Sequence, residues 1–240
     1  MIIPRKAEDR GFSDLGWLQS RFSFSFADYH DLDHMGWSVL RVINDDFIAP
    51  GTGFGTHGHR DMEIVTYMGD GALRHGDSME NSRLLRRGEV QRMSAGKGIL
   101  HSEMNGSEDE AATLLQIWIE PDVRGIRPEY EQKEFPDALK QGRLQALVSP
   151  DGRDGSMVIH QDALIYSALL NPGQHVVREL SQGRSAWLHV VQGEVTLGDV
   201  VLCTGDGAGV TAEPAVSLTA REESEILLLD LGEAAPRPEL

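Results

Sequence analysis

Positive charge is in short supply in this sequence: 22 lysines and arginines face 38 aspartates and glutamates, a formal net charge of -16. A surface of that sign repels nucleic-acid phosphates and anionic lipid heads, so neither a nucleic-acid nor a membrane partner is expected. Cysteine is nearly absent. Cys203 stands alone, so no intramolecular disulfide can form and a reducing compartment suits the chain. Its place between Leu202 and the Gly205-Asp206-Gly207 turn reads as that of a small buried hydrophobe. Long apolar runs are missing too: nothing approaches the roughly 20 residues that cross a bilayer. The opening Met1-Ile2-Ile3-Pro4-Arg5-Lys6 turns charged at once, with no apolar run of signal-peptide length. These absences make a cytoplasmic protein the expectation.

Glycine is plentiful, at 26 of 240 residues, and it punctuates short runs rich in Val, Ile, Leu and Thr. Such runs are 37–43, 63–67, 114–119, 163–169, 187–191 and 226–231, each of strand length and bounded by turn residues. Helical spacing is confined to one short turn near Phe135-Pro136-Asp137-Ala138-Leu139-Lys140. The fold class is therefore all-β. The polar stretch 120–142 carries Pro121, Pro128 and Pro136 and reads as a connector, which divides the chain into domains 1–140 and 141–240. The tail 232–240 has two prolines and few apolar groups, and is expected to lie loosely on the surface.

The chemistry concentrates in two segments. In Gly51-Thr52-Gly53-Phe54-Gly55-Thr56-His57-Gly58-His59 the two histidines are two residues apart. On a strand they project from one face, about 6.6 Å apart along the backbone. Residues 88–103 end in His101-Ser102-Glu103, again at alternate positions. A neighbouring strand bearing this second pair completes a four-donor set for one ion. Three imidazoles and a carboxylate suit Fe(II), Mn(II), Ni(II), Cu(II) or Zn(II). Glu63 shares the strand parity of the histidines and is a rival carboxylate, either a ligand or a pocket-wall group that orients one. His30, His34 and His75 fit no ligand spacing, and His30 and His34 sit in a polar run that reads as a solvated loop. Gly96-Lys97-Gly98 lacks the spaced glycine and the following Ser or Thr of a phosphate loop.

The order Gly51, His57, His59, Glu63, then Gly88, Gly96, His101, Asn105 resembles the two cupin motifs, with Ser94 in place of the usual proline and two extra residues before His101. Phe24-Ser25-Phe26-Ala27, the run 40–46, Gly53-Phe54-Gly55-Thr56-His57, His59-Arg60-Asp61-Met62-Glu63 and Arg92-Met93-Ser94-Ala95-Gly96 narrow that resemblance to the pirin family, most densely over residues 20–120. The resemblance implies a bicupin: two cupin-like β-barrels, the N-terminal one binding metal and the C-terminal one degenerate. It implies His57, His59, His101 and Glu103 as ligands, Fe(II) as the first choice of metal, and Glu103 as the catalytic proton acceptor. It also implies quercetin 2,3-dioxygenase activity, in which O2 opens the ring of a flavonol with loss of carbon monoxide. The alternative it carries is a non-enzymatic regulator that binds a protein partner.

An offset of 122 residues lays Gly173 on Gly51 and Gly193 on Gly71. Under it Glu179 and Ser181 occupy the slots of His57 and His59, and Ser185 that of Glu63. The second lobe is therefore expected to be structural, and a monomer is favoured because two lobes can bury each other's faces.

Overall fold

The computed structural model describes residues 1–234. The first half supplies β1 (Ile2–Arg5), β2 (Gly11–Asp14), β3 (Leu18–Phe22), β4 (Leu40–Ile48), β5 (Gly53–His59), β6 (Glu63–Met68), β7 (Ala72–Asp77), β8 (Ser82–Arg86), β9 (Glu89–Ser94), β10 (Ile99–Asn105), β11 (Ala112–Ile119) and β12 (Glu129–Glu134). One helical turn, α1 (Asp137–Lys140), precedes β13 (Gln145–Ser149), β14 (Met157–Val158), β15 (Ala163–Leu170), β16 (His175–Glu179), β17 (Ser185–Gln192), β18 (Glu194–Leu197), β19 (Val200–Cys203), β20 (Gly207–Thr211), β21 (Ala215–Ala220) and β22 (Ser224–Leu231). All six apolar runs of the sequence fall on strands, in whole or in large part.

The strands form two seven-stranded sheets, β12-β9-β6-β11-β4-β3-β2 and β1-β20-β17-β22-β15-β13-β14, and two four-stranded sheets, β5-β10-β7-β8 and β16-β21-β18-β19. The repeat is written in this topology: β9-β6-β11-β4 corresponds to β20-β17-β22-β15, and β5-β10-β7-β8 to β16-β21-β18-β19. Gly71 and Gly193 mark equivalent corners, both at positive φ, where a Cβ would strike the backbone at Ala111 and Glu223 respectively.

Strand alternation sorts the side chains into separate cores. On β22, Ile226 and Leu228 face the interior of the C-terminal barrel, while Leu227, Leu229 and Leu231 face the other lobe. On β6, Val65 and Tyr67 face the second lobe and Ile64 and Met68 the N-terminal barrel. The two large sheets thus share a buried layer, centred on Trp187, whose ring lies 4.7 Å from that of Phe24. Trp187→Ala opens a cavity in this shared layer and is expected to lower the unfolding free energy by about 3–5 kcal/mol, measured by denaturant titration.

Several expectations are corrected. The connector is not all loop, because β12 pairs along the whole of β9. The first strand crosses the division at residue 140: β1 pairs with β20 of the second lobe. Cys203 is exposed, because on edge strand β19 it is Leu202 that faces inward. At the tail, Gly232 is buried and doubly tied, its N–H to the Asp162 carbonyl and its own carbonyl to the Ser38 hydroxyl; the rest of that stretch, 235–240, lies outside the described residues.

Candidate metal centre

The centre is built where the four-stranded sheet β5-β10-β7-β8 faces the large sheet of the N-terminal lobe. Antiparallel pairing sets His57 directly opposite His101, and a register shift between His101 and Glu103 puts Glu103 opposite Phe54. The three imidazoles meet: His57 Nε2 and His101 Nε2 are 3.0 Å apart, and the ring of His59 lies 4.8 Å from each of theirs. His57 Nδ1 must carry its hydrogen, since it donates to the Gly55 carbonyl at 2.8 Å, and Nε2 is left with a lone pair turned to the centre. Burial, with repulsion from His57, pulls His59 down to about 4. The same causes, with His59 added, pull His101 down to about 3. Near neutral pH both rings are uncharged donors. Their convergence fits a divalent cation, and all three nitrogens lie within 4.8 Å of one another.

Glu103 stands beside this triad rather than inside it. Its carboxyl groups with His101 and His75, resting on a row of polar side chains that crosses the large sheet. Register places Gln91, Thr66, Gln116 and Asn44 side by side on β9, β6, β11 and β4. Gln116 Nε2 donates to Glu103 Oε2 at 2.7 Å, Gln91 Nε2 and the Thr66 hydroxyl donate to Oε1, and Tyr130 in turn donates to Gln91. Burial nevertheless raises Glu103 to about 7, against these hydrogen bonds and with the Asp46 charge adding to the rise.

His75 is the residue that spacing missed. It lies opposite Glu103 on β7, fully buried, with its ring stacked 4.4 Å from that of Tyr130 and Nε2 held 2.9 Å from Asp77. The alternate pair His75-Gly76-Asp77 was the available sign, an imidazole and its carboxylate partner on one strand face. Glu63, by contrast, is absent from the centre. Parity is lost at the β5–β6 turn, where Asp61 has φ 47, and Glu63 faces the second lobe, bonded to Ser94 and to the backbone at His160. His34 is not a free loop residue either. It joins Tyr29 and Arg5 on the Asp31 carboxylate, while His30 is exposed.

A cavity of 310 Å³ opens onto the triad. Its apolar wall includes Leu18, Phe22, Phe26, Phe54, Ile64 and Trp118; its polar wall holds Asn44, Asp46, Glu103 and Gln116. Trp118 packs edge-on against His59, and Phe26 edge-on against Trp118. That size and mixture suit a small, flat, largely apolar molecule.

Among the described residues the second lobe has no counterpart. Strand β21, which pairs with β16 as β10 does with β5, reads Ala-Val-Ser-Leu-Thr-Ala. The position of Trp118 is taken by Asp230, fully buried and held by Arg178 and Arg184. Leucine, valine and alanine make up most of the remaining interior.

The Pirin family model matches residues 5–119, and a model described as the quercetinase C-terminal cupin domain matches 146–231. A protein named quercetin 2,3-dioxygenase from Escherichia coli (strain K12) is 49% identical over 231 residues, 96% of this chain and 99% of its own. The chain belongs to the pirin family. Within it, a pirin-like protein of Caulobacter vibrioides is 42% identical over 95% of this chain and 99% of its own. Among solved structures, the bacterial pirin YhhW of Escherichia coli in complex with nickel(II) superposes with a TM-score of 0.94, at 47% identity, covering 98% of this chain and 100% of that one. The two-barrel cupin architecture is therefore that of pirin.

Proposed function

We propose that this pirin is a metal-dependent dioxygenase that opens the ring of a flavonol such as quercetin. The observation that carries the reading is the meeting of three imidazoles, two of them held neutral, with a buried protonatable carboxyl in one apolar-walled cavity. Support comes from the name and nearly full-length similarity of the Escherichia coli relative. His57, His59, His101 and Glu103 would hold the ion. These nitrogen and oxygen donors accept Fe(II) as the first choice, with Mn(II), Ni(II), Cu(II) and Zn(II) as alternatives; nickel is the ion of the similar YhhW structure. When bound, the ion supplies charge stabilisation for an ionised hydroxyl and electronic access to O2.

The chain's own residues do the rest. Phe22, Phe26 and Trp118 flank a flat ring and exclude water, which strengthens every charge interaction at the triad. Glu103 accepts the proton of the flavonol 3-hydroxyl. Burial raises its carboxyl to about 7 without the ion and the bound ion lowers it again, so it serves as base once substrate binding loosens its hold on the ion. The second lobe covers the first and carries no chemistry among its described residues, and the molecule acts as a monomer. An open cavity at the histidines favours this enzyme over a partner-binding regulator, which has no need of one.

Anaerobic reconstitution of the metal-free protein with each of Fe(II), Mn(II), Ni(II) and Cu(II), followed by quercetin and oxygen, tests the reading. The expected result is loss of the flavonol absorbance band with carbon monoxide release for at least one metal. An unchanged band with all four sinks the proposal.

A further inference from the structure

On the sheet facing the histidines, the cavity has an acidic wall that the metal chemistry leaves unused. Asp46 on β4 lines the cavity and is 6% exposed, yet among the described residues no ion pair neutralises it. Its Oδ1 accepts the Ser20 hydroxyl at 2.6 Å, and burial raises it to about 7. A carboxyl withdrawn from water without a cation is unfavourable, and an apolar residue of similar size would serve the fold better. Nearby in the same sheet, Asn44 and Gln116 stand opposite each other across β4 and β11 and also border the cavity. Each keeps a buried amide oxygen with no partner. Two amide oxygens without partners and a carboxyl whose one hydrogen bond comes from Ser20 therefore sit together among aromatic rings, where a hydroxylated ring would satisfy them.

We propose that Asp46 and Asn44, backed by Ser20 and Gln116, form a hydroxyl-recognising wall, so that the substrate is a flat aromatic compound bearing hydroxyl groups beyond the one that meets the metal. This rests on the dioxygenase reading for how the substrate is anchored at the histidines, and goes further in assigning preference among flavonols to residues outside the metal centre. An aromatic ring without those hydroxyls leaves the wall unpaired and binds more weakly, because buried polar groups that lose their partner discriminate strongly.

The test uses nickel-loaded protein under argon, so that binding is measured without turnover. Quercetin and 3-hydroxyflavone, which lacks the additional hydroxyls, are titrated against tryptophan fluorescence. The parent chain is expected to bind quercetin at least about 10-fold more tightly. Asp46→Asn, which keeps the shape, and Asn44→Leu, which keeps the volume, are each expected to lose most of that preference by weakening quercetin alone. Metal content should match the parent in both. No preference in the parent, an undiminished ratio in both variants, or equal weakening of both flavonols overturns the proposal. Preference without oxygen-dependent turnover would remove the dioxygenase reading alone; turnover without preference would remove this inference alone.

Discussion

Glu103→Gln, assayed with saturating metal and oxygen, is expected to turn quercetin over about 100-fold to 10,000-fold more slowly than the parent chain, the range spanned by loss of a general base. The substitution keeps the size of the side chain; its carbonyl still accepts from Gln91, while its NH2 meets Gln116, whose unpartnered amide oxygen can turn to accept it, so the polar row beneath should persist. What disappears is the ability to take a proton. In the parent, burial places the carboxyl at about 7. The base form therefore gains population as pH rises through that value, and turnover should rise with it. A bound cation favours the carboxylate, so in the loaded enzyme the inflection moves below 7. The variant should show no such limb. Steady-state rates between pH 5 and 8, with metal content measured on each sample, check both points. Parent-like turnover in the variant would move the proton acceptor elsewhere.

Legibility in the sequence followed the physics of strand alternation. The six apolar runs were readable because central strands such as β22 bury both faces, one in the barrel and one in the shared layer, leaving a near-continuous apolar run. His57 with His59, and His101 with Glu103, were readable because each pair lies within one strand, where parity is fixed. Glu63 was misread for the converse reason: parity does not survive a turn that passes through the left-handed region at Asp61. The polar row of Gln91, Thr66, Gln116 and Asn44 was invisible, since it exists only across four paired strands. Likewise β12 looked like a linker because an edge strand has little to bury, its residues being half-exposed or exposed throughout.

Protonation of Glu103 is expected to lower metal affinity about tenfold for each pH unit below about 7, and to have little effect above it. A ligand must shed its proton before it can bind, so each donor competes only below its own pKa. Burial and mutual repulsion hold His59 at about 4 and His101 at about 3, so neither takes up a proton between pH 5 and 8. Glu103 runs the other way. Raised from 4.5 to about 7, it must lose a proton on joining the ion throughout the window below 7, which contributes one proton per ion to the slope. Glu103→Gln should bind metal more weakly at pH 8 and lose this contribution. Competition with a chelator of known affinity, at fixed ionic strength, measures both chains across the range. A slope equal in parent and variant would mean that Glu103 stays on Gln91 and Gln116 when the ion binds, and that the three histidines hold it without the carboxylate.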